Sequence, residues 1–153
     1  MRKEKIIIFD FDGVIADTLN IAFAIQQMSR PTLEREHYQK LFDGNIYDAK
    51  LEDKIVNEVD FFAEFSRRLK TLGIDKRVKI IIKKLSKYFR LLIVSGTESR
   101  IIKDYLERHK LLDCFTEVLG SDAETSKVKK FITLFNKYKV LPSEAIFITD
   151  TSG

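Results

Sequence analysis

A single cysteine, Cys114, is all that 153 residues contain, so no intrachain disulfide can form. That economy suits a reducing compartment and points to a cytoplasmic protein. Cys114 lies in LLDCF among apolar residues and reads as an inert buried thiol. Histidine is almost as scarce: His37 and His109 are the two present, and neither pairs with an obvious partner in the sequence. No apolar run approaches membrane-spanning length, and the four-residue segment behind the charged MRKEK start is too short for a signal peptide. The expectation is a soluble chain with no membrane partner. Internal repeats and low-complexity tracts are absent. So is any block of one charge sign, because the lysines are spread through helical stretches as solvated faces. A net charge of +4 and a pI near 9.1 therefore argue against nucleic acid as a partner, while suiting an anionic substrate.

What is present is a globular composition. Apolar residues make up 44% and charged residues 33%, too apolar for disorder. Four short strands are expected at residues 5–10 (KIIIFD), 90–95 (RLLIVS), 115–120 (FTEVLG) and 145–150 (AIFITD). Helical spacing separates the later ones. Residues 76–89 place Val78, Ile81, Ile82 and Leu85 on one face. Residues 99–109 do the same with Ile101, Ile102, Tyr105 and Leu106. Residues 127–138 do so with Val128, Phe131, Ile132 and Phe135. Strands alternating with helices predict an α/β fold: a Rossmann-like parallel sheet flanked by helices, with right-handed crossovers.

The first crossover is far longer than the dozen or so residues that a parallel connection needs. Residues 76–89 suffice as its helix, which leaves an insert. The insert reads as helical over 18–29, stopped by Pro31. It is helical again over 32–42, stopped near Asp43-Gly44, and then from Ile46 to about Leu72 with a break, Gly73 serving as C-cap. The predicted organisation is a core of residues 1–15 and 74–153, with a small all-helical cap of residues 16–73 inserted after the first strand. Charged runs in the cap, EREHYQK and FSRRLK, read as solvated faces.

Chemistry collects where the strands end. In open α/β sheets, ligands bind outside the carboxyl ends of the strands. The first strand closes in Asp10-Phe11-Asp12-Gly13. Alternation points both carboxylates the same way, an arrangement that needs neutralisation. The second strand ends in Ser95-Gly96-Thr97, a loop after the third leads to Lys127, and the fourth ends in Asp150. Hard oxygen ligands without neighbouring Cys or His suggest Mg²⁺ between Asp10 and Asp150. A phosphate then fits between the metal, Lys127, the Ser95 hydroxyl and nearby amides. Thr18 reads as a helix N-cap.

These residues resemble the haloacid dehalogenase (HAD) superfamily. DFDGVIADT resembles its first signature motif and IVSG the second. Lys127 in SKVKKF resembles the third, and IFITD the start of the fourth. The insert resembles the C1-type cap of phosphoglycolate phosphatase-like and beta-phosphoglucomutase-like members. The resemblance implies that Asp10 is the nucleophile that forms an aspartyl-phosphate, and that Asp12 is the general acid and then base. It implies that Asp10, the Asp12 backbone carbonyl and Asp150 hold Mg²⁺, and that Ser95, Gly96 and Lys127 bind the phosphoryl oxygens of a small phosphorylated substrate. An Asp at position 12 favours phosphate-ester chemistry, with phosphatase the default. A phosphomutase and a non-catalytic phospholigand- or protein-binding module are the alternatives. The family's fourth motif usually carries another acid three or four residues on, followed by a further strand and helix. The expectation is therefore a chain truncated at Gly153, self-associating through an open edge at residues 145–150 or completed by another chain.

Overall fold

The computed structural model describes residues 5–43 and 50–150. Four parallel strands, β1 (Ile6–Phe9), β2 (Arg90–Val94), β3 (Glu117–Leu119) and β4 (Ala145–Ile148), form one sheet in the order β3-β2-β1-β4. Register is set by Ile6 opposite both Arg90 and Ala145, so β1 lies between β2 and β4. The chain steps outward from β1 to β2 to β3, then returns to the far side of β1 with β4. This reversal puts the switch point beside β1, where such sheets bind ligands.

Both faces of the sheet are covered, which explains why β1 and β2 are apolar almost throughout. Ile7, Phe9, Leu91 and Ile93 face one way, into a core that includes Ile82, Ile101, Tyr105 and Leu106. Ile6, Ile8, Leu92 and Val94 face the other, against Leu134 and Val140. The first core runs on without interruption into Ile25, Leu33, Tyr38, Phe65 and Leu69 of the segment between β1 and β2. That segment carries α1 (Leu19–Ser29), α2 (Arg35–Lys40) with a single 3₁₀ turn after it, and α3 (Phe61–Leu69); α4 (Lys76–Leu85) then leads into β2. Beyond β2 come α5 (Ser99–Arg108) and α6 (Lys127–Tyr138).

Several expectations need correction. The long helix anticipated from Ile46 to Leu72 is confined to α3; residues 44–49 lie outside the described residues, and residues 50–60 are irregular. Tertiary hydrogen bonds account for this. The Val56 and Asn57 amides donate to the Ser29 carbonyl at the end of α1, and Asp60 caps α3 by accepting from the Ala63 amide at 3.1 Å. Gly73 is not the C-cap; Lys70 is, in a right-handed conformation. In α4, Ile82 is buried but Ile81 is 53% exposed. In α6, Val128 and Ile132 are outside at 67% and 53% exposure, while Lys130 and Leu134 are inside at 1% each. The stripe on α6 is rotated because Lys127 points into the sheet edge (below), and Lys130 and Leu134 follow it at helical spacing. Only α5 buries the face its spacing predicted. Cys114 is half-buried, and β4 is an edge strand among the described residues, with Ile146 and Phe147 exposed.

Candidate active site

The carboxyl ends of β1, β2 and β4 meet at one edge, held together by backbone bonds that continue past the strands. The Asp10 amide donates to the Ile148 carbonyl at 2.9 Å, and the Ser95 amide to the Leu119 carbonyl at 3.0 Å. Asp10 is buried. Its Oδ1 accepts from the Phe11 amide at 2.8 Å, and its Oδ2 from the Lys127 ammonium at 3.0 Å and from the Thr149 hydroxyl at 3.4 Å. Phe11 turns the other way, fully buried, with its ring edge-on to Tyr105. The alternation read from the sequence thus persists two residues beyond the last strand residue, Phe9.

Asp12 sits in a different environment. Its Oδ1 accepts from the Thr18 hydroxyl at 2.7 Å; its Oδ2 accepts from the hydroxyls of Ser95 at 3.2 Å and Thr97 at 2.7 Å. Burial pushes its carboxyl above the ordinary range and the neighbouring charge of Asp10 adds to this, while the three hydroxyls oppose it. The two carboxylates are therefore unlike: one lies against an ammonium, the other against neutral hydroxyls. From the segment between β1 and β2, Tyr38 packs edge-on to Phe42 and within electrostatic reach of Asp12. Burial raises its hydroxyl pKa, and the charge of Asp12 raises it further.

The loops around these groups have little freedom. Gly13 takes φ +75°, and a Cβ there would stand 1.9 Å from Asp150 Oδ2, so glycine lets the β1 and β4 loops approach. Gly120 is pinned likewise: an added Cβ would meet the Thr97 carbonyl at 2.3 Å. Its own amide donates to the Ser99 hydroxyl at 2.9 Å, and the Ser99 amide donates to Asp122 at 2.7 Å. The Ser95-Gly96-Thr97 turn is thus braced from the loop after β3.

All six residues singled out by sequence, Asp10, Asp12, Ser95, Gly96, Lys127 and Asp150, come to this edge. Two of them point where the sequence did not indicate. Ser95 is fully buried with its hydroxyl on Asp12, and Lys127 rests on Asp10. Three further residues were missed. Thr18 is indeed the residue before α1, but its hydroxyl makes no cap and goes to Asp12 instead. Thr97 is the second donor to Asp12 Oδ2. Lys130 is buried, with its ammonium 2.5 Å from the Ser95 carbonyl.

The donor set suits a hard divalent cation. Burial raises the Asp150 carboxyl, and so does the charge of Asp10, the like-charge opposition that a cation between them would relieve. Among the described residues no group of three His, Cys, Asp or Glu side chains forms a cage. Two carboxylates and a backbone carbonyl, with the remaining positions for water and substrate, are what Mg²⁺ ordinarily takes. Both oxygens of the Asp12 side chain are occupied by hydroxyls, so only its carbonyl is available for that purpose.

Three comparisons bear on this geometry. The family model described as haloacid dehalogenase-like hydrolase matches residues 7–153. A phosphoglycolate phosphatase from Vibrio vulnificus is 25% identical over 179 aligned positions, covering 99% of this chain and 78% of that protein. Among solved structures, a haloacid dehalogenase-like family hydrolase from Streptococcus pneumoniae superposes with a TM-score of 0.73 at 18% identity, over 99% of this chain and 78% of its own. A provisionally assigned beta-phosphoglucomutase from Thermotoga maritima gives 0.63 at 18% identity, over 94% and 74%. At such identities the structural likeness speaks to the fold alone.

Proposed function

The chain belongs to the haloacid dehalogenase-like hydrolase family, and from that premise we propose that it hydrolyses the phosphate monoester of a small metabolite with Asp10 as nucleophile and Mg²⁺ as cofactor. One observation carries the reading. Two carboxylates one residue apart are given opposite surroundings, Asp10 against Lys127 and Asp12 raised by burial among three hydroxyls. Pairs set apart in this way are how one site holds a nucleophile and an acid together.

In the first step an Asp10 oxygen bonds to phosphorus, the ester bond to the leaving oxygen breaks, and Asp12 gives that oxygen its proton. In the second, Asp12, now a carboxylate, takes a proton from water as the water oxygen attacks phosphorus. The bond to Asp10 breaks, releasing inorganic phosphate and restoring both carboxyls. Lys127 and the Gly96 amide hold the transferring phosphoryl oxygens, joined by the Ser95 hydroxyl once it turns from Asp12. Asp10, Asp150 and the Asp12 carbonyl would hold Mg²⁺, which would supply positive charge to the transferring phosphoryl group. Residues 16–73 act as the cap that excludes water from the first step. Tyr38 within reach of Asp12 supports that placement.

Phosphoglycolate, the substrate named for the Vibrio relative, is the first to try. The test is hydrolysis of phosphoglycolate and of a generic aryl phosphate, with and without Mg²⁺, beside Asp10→Asn. Mg²⁺-dependent turnover that disappears in the variant is expected. Turnover retained by Asp10→Asn, or none from folded wild-type protein with Mg²⁺, would overturn the proposal; phosphate binding without turnover would support a binding module instead.

A further inference from the structure

A lysine on the buried stripe of a helix needs a reason. Lys130 is 1% exposed and stands one turn before Leu134, on the side of α6 that packs against Ile6, Ile8, Leu92 and Val94 of the sheet. Its stem shares that apolar surface, and its ammonium reaches the Ser95 carbonyl at 2.5 Å. Ser95 immediately follows β2 and opens the turn whose two hydroxyls, from Ser95 and Thr97, lie on Asp12 Oδ2. Within the turn the Thr97 amide donates to the Ser95 hydroxyl at 3.1 Å. We propose that Lys130 is a positioning residue: its buried ammonium fixes the Ser95 carbonyl and so holds the turn that delivers both hydroxyls to Asp12 and aims the Gly96 amide.

The geometry distinguishes Lys130 from its neighbour Lys127. Lys127 is part-exposed and lies directly on Asp10, whereas Lys130 acts through Ser95. A charge-assisted bond to a main-chain carbonyl is stronger and more directional than a neutral one. An apolar side chain of the same length would pack but leave the carbonyl unheld. The charged groups facing Lys130 are Lys127, which opposes its charge, and Asp10, Glu124 and Asp122, which favour it. Burial comes first, however, and brings the ammonium down to about 8. The turn is thus held firmly at neutral pH and loosens above it.

This rests on the phosphatase reading only where activity is the readout, so the experiment has two arms. In ¹⁵N-labelled wild-type protein, the Gly96 and Thr97 amide signals are followed against pH while far-UV circular dichroism monitors the fold. Both should titrate together with a midpoint of about 8, with the fold unchanged, and the titration should vanish in Lys130→Met. In the Mg²⁺-loaded enzyme, Lys130→Met should lower kcat for an aryl phosphate by about 10–100-fold with KM less affected. Wild-type kcat should fall through the same pH range. Amides that do not titrate in wild type overturn the proposal even where Lys130→Met fails to fold. So does a folded Lys130→Met with wild-type kcat and pH profile. Amides that titrate in a wild-type protein without turnover would leave the positioning role standing and remove the phosphatase reading alone.

Discussion

Replacing Thr18 by Val is the sharpest single perturbation of the pair of carboxylates. The Thr18 hydroxyl is the sole hydrogen-bond donor to Asp12 Oδ1 among the described residues, at 2.7 Å, and it makes no cap for α1, so the helix loses nothing directly. Valine keeps the shape and removes the donor. A hydrogen bond to a charged group contributes about 1.5–3 kcal/mol. Its loss should raise the Asp12 carboxyl further, because only the ionised form gives up the full bond. The sign is the same as that of burial, so the two effects add. The assay is the ¹³C shift of the Asp12 carboxyl against pH in metal-free protein, comparing wild type, Thr18→Val and Thr18→Ser. Serine should restore the wild-type midpoint. Stability gives a second reading. A carboxyl raised in the folded state contributes stability that is full below its unfolded value and is lost as pH rises through the folded value. Thr18→Val should therefore cost about 1.5–3 kcal/mol where Asp12 is ionised and less in acid. An unmoved Asp12 midpoint in a folded Thr18→Val protein would refute the assignment of that hydroxyl to Asp12.

Gly13→Ala should cost about 1–2 kcal/mol from its left-handed backbone, seen as a lower urea midpoint. It should also raise the Mg²⁺ concentration for half-maximal activity, since the new Cβ would occupy the place of the Asp150 carboxylate; an unchanged Mg²⁺ titration would count against that contact. Lys139, exposed and at φ 53° as the C-cap of α6, is the opposite case. Lys139→Gly should add about 1 kcal/mol and raise Tm by about 3 °C, and calorimetry showing no gain would mean the left-handed turn is not strained.

Strands β1, β2 and β4 were legible because each is largely a short apolar run ending in polar residues, and two-sided burial of β1 and β2 leaves no room for alternation. The ends of those strands were legible too, since Asp10, Asp12, Lys127 and Asp150 carry charge that a sheet edge must accommodate. Thr18 and Thr97 were not, because a hydroxyl beside a helix start or in a turn has a local use more common than reaching a carboxylate. Lys130 was hidden in SKVKKF, where three lysines look alike until the helix is rotated. The rotation itself was misread. Val128 and Ile132 make as good an apolar stripe as Phe131 and Leu134, and only the insertion of Lys127 at the sheet edge decides between them. Residues 50–60 carry no helix breaker, yet the Val56 and Asn57 amides are drawn to the Ser29 carbonyl at the end of α1.

The position of β1 between β2 and β4 also governs the order of assembly. β1 is made first, but its partner β4 begins at residue 145. At a synthesis rate of about 5–20 residues per second, roughly 7–28 s pass between them. For the first part of that interval Ile6–Phe9 has no partner strand, and once Arg90–Val94 is made it can pair on that side only, its other row of amides and carbonyls waiting for β4. The same interval separates Asp10 from Thr149, so the surroundings of Asp10 cannot close until residue 149 is made. A nascent chain stalled before residue 145 would hold β1 with an unpaired edge, open to association with other chains.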